Sequence, residues 1–206
     1  NNPDVRQAAK DAAGHWLELG LDGFRMDAAV HIYGAHEFKQ QEDSEAANIT
    51  WWNEFAGYCE SINPDVYLVG EVWQDDKVLE NYVQPFDTKF DFAIQQKILN
   101  CVQKGMAVPG FGDSLSAAIE NIQNKYDGVD ANYLNGIFGA NHDQDRIASS
   151  VNSLDKARQI AAVYMTLPGN PYIYYGEELG MYGSKPDEMI RTPFLWGDDS
   201  TYNTSW

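Results

Sequence analysis

Apolar positions recur at helical spacing in some stretches of the chain and gather into short runs in others, and the two kinds alternate. Val5, Ala8, Ala9, Ala12, Trp16 and Leu19 fall on one stripe of a helix. Asn2 suits its N-cap, Pro3 its first helical position and Gly20 its C-terminal cap. A strand over Asp22 to Ala28 follows at once, then a polar loop and a helix around Trp51 to Ser61. After the turn at Asn63-Pro64, Val66 to Val69 reads as a short strand ending near Glu71. A weaker strand near Phe86 to Phe90 precedes two helical stretches, the second with its stripe at Leu115, Ala118, Ile119 and Ile122. "YLNGIFGANHD" is a strand ending in polar residues, and a helix from about Leu154 to Met165 follows it. "GNPYIYYGEE", introduced by Gly169 and Pro171, is a last strand ending near Glu177.

Strands alternating with helices predict βα units and a parallel sheet. No G-x-G-x-x-G follows any of the strands, so a dinucleotide-binding sheet is unsupported. Polar residues stand instead at the C-terminal ends of several strands, where barrel enzymes carry their catalytic groups. The class this points to is α/β with a parallel sheet.

Composition narrows the partners. Apolar residues make up 44% of 206, enough for a real core. A formal charge of −17 argues against nucleic acid and against an anionic membrane surface, while leaving a neutral ligand such as a sugar open. Cys59 and Cys101, both in segments read as helical, are too few for a disulfide scaffold and read as buried thiols. No apolar run reaches the roughly 18 residues of a membrane span. No secretion leader is visible, and the chain reads as starting mid-domain. The sequons at Asn48 and Asn203 read as chance occurrences.

Three carboxylates stand at three strand ends: Asp27, Glu71 and Asp143. Arg25 lies two residues before Asp27, on the same side of a strand, and a cation there would keep Asp27 ionised and oriented. Glu71 ends the most apolar strand and precedes Val72 and Trp73; apolar surroundings suit a general acid. Asp143 follows His142 in "NHD", and a histidine beside a carboxylate can donate to a ligand. Singly, each has a plainer reading: a structural ion pair, a solvated strand end, a turn. Their joint occurrence on successive βα units favours glycoside cleavage, which needs two carboxylates in unequal surroundings. A metal hydrolase built on His31, His142 and Asp143 lacks any His-Glu-x-x-His spacing.

"GFRMDAAVH", "GEVW" and "ANHDQDR" resemble three signature segments of the α-amylase family of glycoside hydrolases, in order. "NPDVR", "PGNPYIYYGEELGM" and "IRTPFLW" also look like family sequence, so the resemblance covers nearly the whole chain. It implies a (β/α)8 TIM barrel represented by about strands four to eight, with residues 1–206 a partial catalytic domain. The earlier strands with their signature segment, the inserted domain and the C-terminal β-sandwich would lie outside it. It implies Asp27 as nucleophile, Glu71 as general acid/base, and Asp143 as the carboxylate that grips sugar hydroxyls. Arg25, His31, His142 and Trp73 would contact substrate or its carboxylates. The implied activity is retaining cleavage of α-1,4-glucosidic bonds in an α-glucan. The alternatives are an α-glucosidase or transglycosylase of the same family, or a non-catalytic, sugar-binding partial barrel. Calcium would be held in part by the His31 backbone carbonyl, with most ligands outside this chain. Chloride is not expected, since "MTLPGNPYIYY" lacks the basic residue of chloride-dependent members. Val30 stands where many members carry lysine. Family habit places the protein outside the cell or on its surface. An incomplete barrel also leaves apolar strand edges, near Asp22–Ala28 and Tyr172–Tyr175, that predict self-association.

Overall fold

The computed structural model describes residues 2–34, 41–74, 76–104 and 114–194. The chain divides into two units, Asn1–Phe90 with Asn124–Leu134, and Asp91–Gln123 with Asn135–Trp206.

In the first unit, helix α1 (Pro3–Glu18) begins as expected. The Asn2 side chain accepts the Asp4 N–H at 2.8 Å, and Gly20 follows the last turn at φ +94°. The face it buries is a correction. Val5, Trp16 and Leu19 are 65%, 54% and 67% exposed, and Ala8, Ala9 and Ala12 are exposed as well. The buried side is Ala13, Gly14 and Leu17, with Arg6 and Lys10 half-buried beside them. Positions 6, 10, 13, 14 and 17 also lie at helical spacing, so periodicity alone admits either stripe. Contacts with α2 (Gln41–Ile62) decide. Glu54 of α2 pairs with Arg6 and, at 3.0 Å, with Lys10. A side chain at Gly14 would meet the Tyr58 hydroxyl at 2.7 Å, so a small residue is what lets the helices approach. Helix α2 itself starts at Gln41, nearly three turns before the Trp51–Ser61 stretch that announced it.

Strands β1 (Gly23–Met26), β2 (Tyr67–Gly70) and β3 (Thr88–Lys89) pair in parallel in that order. The strand expected to reach Ala28 stops at Met26. Asp27 and Ala28 form a turn, Ala28 at φ +46°, and Ala29–His31 make a short 3-10 turn. A left-handed alanine costs about 1–2 kcal/mol, so surrounding contacts must hold it. The short helix α3 (Asp76–Asn81) follows β2. Beneath the sheet Trp52 packs on Phe55 and Phe86, with ring centroids 5.8 and 5.3 Å away. The fully buried Lys89 ammonium lies 3.4 Å from the centroid of Tyr126 and 4.6 Å from that of Tyr133, which ties residues 124–134 to β3.

In the second unit, Asp91 caps α4 (Phe92–Lys104) by accepting the Ile94 N–H at 2.8 Å. Helix α5 (Leu115–Asp127), whose residues from Asn124 on belong to the first unit, carries the expected stripe, with Ile122 buried and Leu115, Ala118 and Ile119 half-buried. Strand β4 (Gly136–Phe138) precedes α6 (Ile147–Val151) and α7 (Leu154–Tyr164), the latter capped by Ser153. Strand β5 (Asn170–Tyr172) pairs with β4 in parallel, and α8 (Asp187–Ile190) follows. Ile94, Ile98, Ile137, Phe138, Ile160 and Tyr164 are buried here.

Every strand pairing among the described residues is parallel and helices separate the strands, as the α/β reading requires. Both cysteines are free, Cys101 half-buried and Cys59 buried. Burial pushes the Cys59 thiol up to about 11. Among the described residues no helix is long and apolar enough to cross a membrane.

Candidate active site

Parallel pairing brings two of the predicted carboxylates side by side. Arg25 stands beside Val69 and Met26 beside Gly70, so the next residues past the strand ends are Asp27 and Glu71. The Arg25 guanidinium donates from Nη1 to Asp27 Oδ1 and from Nη2 to Glu71 Oε1. One arginine thus bridges both carboxylates, so the structural ion pair of the plainer reading and the candidate site are the same group of atoms. Their exposures differ: the Asp27 side chain is 79% accessible and that of Glu71 9%.

Glu71 is tied to β1 and its turn at several points. Its Oε2 accepts the Ala28 N–H at 3.0 Å, its carbonyl accepts the Ala29 N–H at 3.0 Å, and its own N–H donates to the Met26 carbonyl at 2.9 Å. These bonds hold Ala28 in its left-handed conformation and aim Asp27 away from the sheet. The apolar, aromatic surroundings expected for Glu71 are therefore corrected to polar ones. The sequence supplied Val72 and Trp73 as neighbours along the chain, whereas the neighbours that matter come from the adjacent strand.

Helix α2 fixes the rest of the turn. Trp52 Nε1 donates to the Ala29 carbonyl at 2.8 Å. Asn48, 1% exposed, donates from Nδ2 to the Val30 carbonyl and accepts the Tyr33 N–H, each at 2.8 Å. That amide is consumed by the fold, which disposes of its sequon as a glycan site; the Asn203 sequon lies outside the described residues. Val30, His31, Tyr33, Asn48, Gln74 and Tyr82 line a cavity of about 300 Å³. His31 is exposed, Val30 is half-buried, and Trp73 is 47% exposed past the end of β2.

The second unit holds His142 and Asp143. Asn141 Oδ1 accepts the Asp143 N–H at 2.9 Å, so "NHD" is a turn, as its plainer reading had it, and also presents side chains. Asp143 Oδ2 lies 3.1 Å from His142 Nε2, and its Oδ1 accepts from Arg191 Nη2 at 2.7 Å. Sequence reasoning quoted Arg191 within "IRTPFLW" but gave it no role. Nothing in local spacing joins residues 48 positions apart.

Glu177 is a second residue that sequence reading left without a role. It lines a cavity of about 220 Å³ with Ile147, Ile173 and Met181, and accepts from the Tyr164 hydroxyl at 3.1 Å. Burial pushes its carboxyl up to about 7 from 4.5. A carboxyl raised on folding stabilises the fold fully below about 4.5, and that contribution is lost as pH rises through about 7. The thermal midpoint of Glu177→Gln should therefore fall less than the wild type's between pH 5 and pH 8. Parallel declines in differential scanning calorimetry would contradict it.

Carboxylates just past the ends of parallel strands, on an α/β scaffold, are the layout in which barrel enzymes carry their catalytic groups. Residues 1–204 match the α-amylase catalytic domain, and the chain belongs to that family. It is 43% identical to alpha-amylase 3 of Dictyoglomus thermophilum over all of this chain and 39% of that protein. It is 32% identical to a 4-alpha-glucanotransferase of Thermotoga neapolitana over 97% of this chain and 41% of that protein. Among solved structures, the alpha-amylase from H. orenii superposes with a TM-score of 0.82 at 38% identity, over 95% of this chain and 38% of that one. The chain thus spans about two fifths of the length of these relatives. The family's catalytic domain is a (β/α)8 barrel, of which this chain is a part.

Proposed function

We propose that this chain is the segment of a retaining glycoside hydrolase that carries its reacting groups, acting on α-1,4-glucosidic bonds of an α-glucan. The observation that carries the reading is the Arg25 bridge between Asp27 and Glu71. A shared guanidinium holds the two carboxylates near one another on one side, which supports a retaining mechanism, whose carboxyl groups stand about 5–5.5 Å apart. In this reading the segment supplies about strands four to eight of the barrel, and the earlier strands complete the cleft.

Asp27, the accessible carboxylate, attacks the anomeric carbon while Arg25 holds its other oxygen. Glu71 gives its proton to the departing glycosidic oxygen. Both Glu71 oxygens accept donors here, so the acid form exchanges the Arg25 contact for its proton and leaves Arg25 to Asp27. Glu71 then takes a proton from water, which attacks the glycosyl–Asp27 ester and releases the sugar with its configuration kept. Asp143 and His142 hold sugar hydroxyls, His31 meets the sugar just past the cleavage point, and the open part of Trp73 offers a stacking face. Transfer to a second sugar instead of water shares the first half of this sequence, and the likeness to the T. neapolitana glucanotransferase favours it as the second reading.

No step is assigned to calcium. It takes about six to eight oxygen ligands, and among the described residues no three His, Cys, Asp or Glu side chains come together to hold a metal. In this reading calcium would draw most of its ligands from outside this chain, with the His31 carbonyl contributing one.

The experiment is a digest of maltoheptaose by the full-length protein, followed by proton NMR before mutarotation sets in. Double displacement predicts that the α-anomer forms first, whether water or a sugar is the acceptor. A β-anomer as first product would rule out the covalent route and the role given to Asp27.

A further inference from the structure

Asp143 is held at both of its oxygens. Oδ2 faces His142 Nε2 at 3.1 Å, and Oδ1 accepts from Arg191 Nη2 at 2.7 Å. The same guanidinium donates from Nε to the His142 carbonyl at 2.9 Å, so it grips the side chain of one residue and the backbone of the other. Nη2 also meets Asp187 Oδ2 at 2.8 Å, which steers the arginine from its own side.

Arg191 is in turn fixed from beneath. The carbonyls on either side of it, of Ile190 and Thr192, accept from the hydroxyls of Tyr174 at 3.0 Å and Tyr175 at 2.7 Å. Both tyrosine rings lie against the buried Arg146 guanidinium, 4.6 and 4.7 Å from their centroids. Arg146 Nη1 also donates to the Tyr175 carbonyl at 2.6 Å. A buried arginine thus fixes two tyrosines, and they clamp the backbone that presents an exposed one.

We propose that Arg191 is a positioning residue for the His142–Asp143 pair, acting on the substrate only through them. This rests on the role given to Asp143 above. A planar guanidinium can serve a carboxylate and a carbonyl at once; a lysine ammonium on a flexible stem cannot hold both in one geometry. The Arg191 side chain is 43% exposed. Ion pairs so open to solvent contribute little to stability. The contacts therefore act on geometry, and their loss should show in turnover with the fold intact.

The test uses the full-length protein and malto-oligosaccharide substrate. Arg191→Ala should lower kcat by about 10- to 100-fold, the scale of a misplaced reacting group. KM and the thermal midpoint should stay close to wild type. Arg191→Lys should recover little, and millimolar guanidinium ion should restore part of the Arg191→Ala loss. In an Asp143→Asn background, Arg191→Ala should cost much less than it does alone, because the carboxylate it positions is already lost and only the His142 contact remains. Full additivity of the two losses would overturn the inference alone. Unchanged activity in Asp143→Asn would overturn the functional reading, and the inference with it.

Discussion

Glu71→Gln in the full-length protein should cut turnover of unactivated α-glucans by about 10²- to 10⁴-fold, the usual contribution of a positioned general acid. The departing sugar oxygen is a poor leaving group and needs the proton. On an aryl glycoside with a good leaving group, the first step should be nearly spared. The second step, which needs Glu71 as base, should remain slow, so a burst of released phenol should precede a slow steady state. Asp27→Asn should abolish both reactions, because no leaving group compensates for a missing nucleophile. The glutamine still offers one oxygen to Ala28 N–H or Arg25, so the thermal midpoint of Glu71→Gln should move little. Equal, mild losses in both variants on both substrates would show that the roles are misassigned.

Gly23→Ala should be among the most damaging single changes to the fold. An added methyl at Gly23 would sit 1.9 Å from the Tyr67 carbonyl oxygen, which is backbone of the neighbouring strand and cannot rotate away. Strands β1 and β2 must part at the point where their register begins. We expect a cost of about 3 kcal/mol, at the upper end for overpacking. For a folding unit of 150–250 residues that is roughly 6–12 °C in thermal midpoint, and less in a larger one. Below that midpoint activity should also fall, because β1 carries Arg25 and Asp27 while β2 carries the approach to Glu71. Gly57→Ala is the matched control. Nothing lies within 4 Å of its added methyl, and it sits in helix α2, so it should stabilise by about 0.5–1 kcal/mol. Similar midpoints for the two variants would show that the close approach at Gly23 does not govern the strand pair.

The elements with strong local chemistry were legible in the chain itself. Asn2, Pro3 and Gly20 delimit α1 through bonds and dihedrals set within a few residues. The short apolar runs mark β2 and β4, and their alternation with helices implies parallel pairing, because a crossover returns the chain in the same direction. The short helices α3, α6 and α8 went unread, since four to six residues carry too little periodicity. The candidate carboxylates could be named by type and by position, and Asp27 and Glu71 do stand just past the ends of β1 and β2. "GFRMDAAVH", "GEVW" and "ANHDQDR" together identified the family that the comparisons then bore out.

Tertiary structure decided which face of α1 is buried. Two stripes share the same period, and only Glu54, Tyr58 and the room at Gly14 choose between them. It decided that Glu71 lies among donors instead of rings, because strand pairing sets a side chain's surroundings more than its sequence neighbours do. It decided that Asn48 is structural and that Arg191 reaches His142 and Asp143. The sequence by itself determined which chemical groups the protein has and the local elements that carry them, because those depend on interactions within a few residues. Which groups meet, and at what distance, depended on contacts between residues tens of positions apart, and no pattern along the chain encodes them.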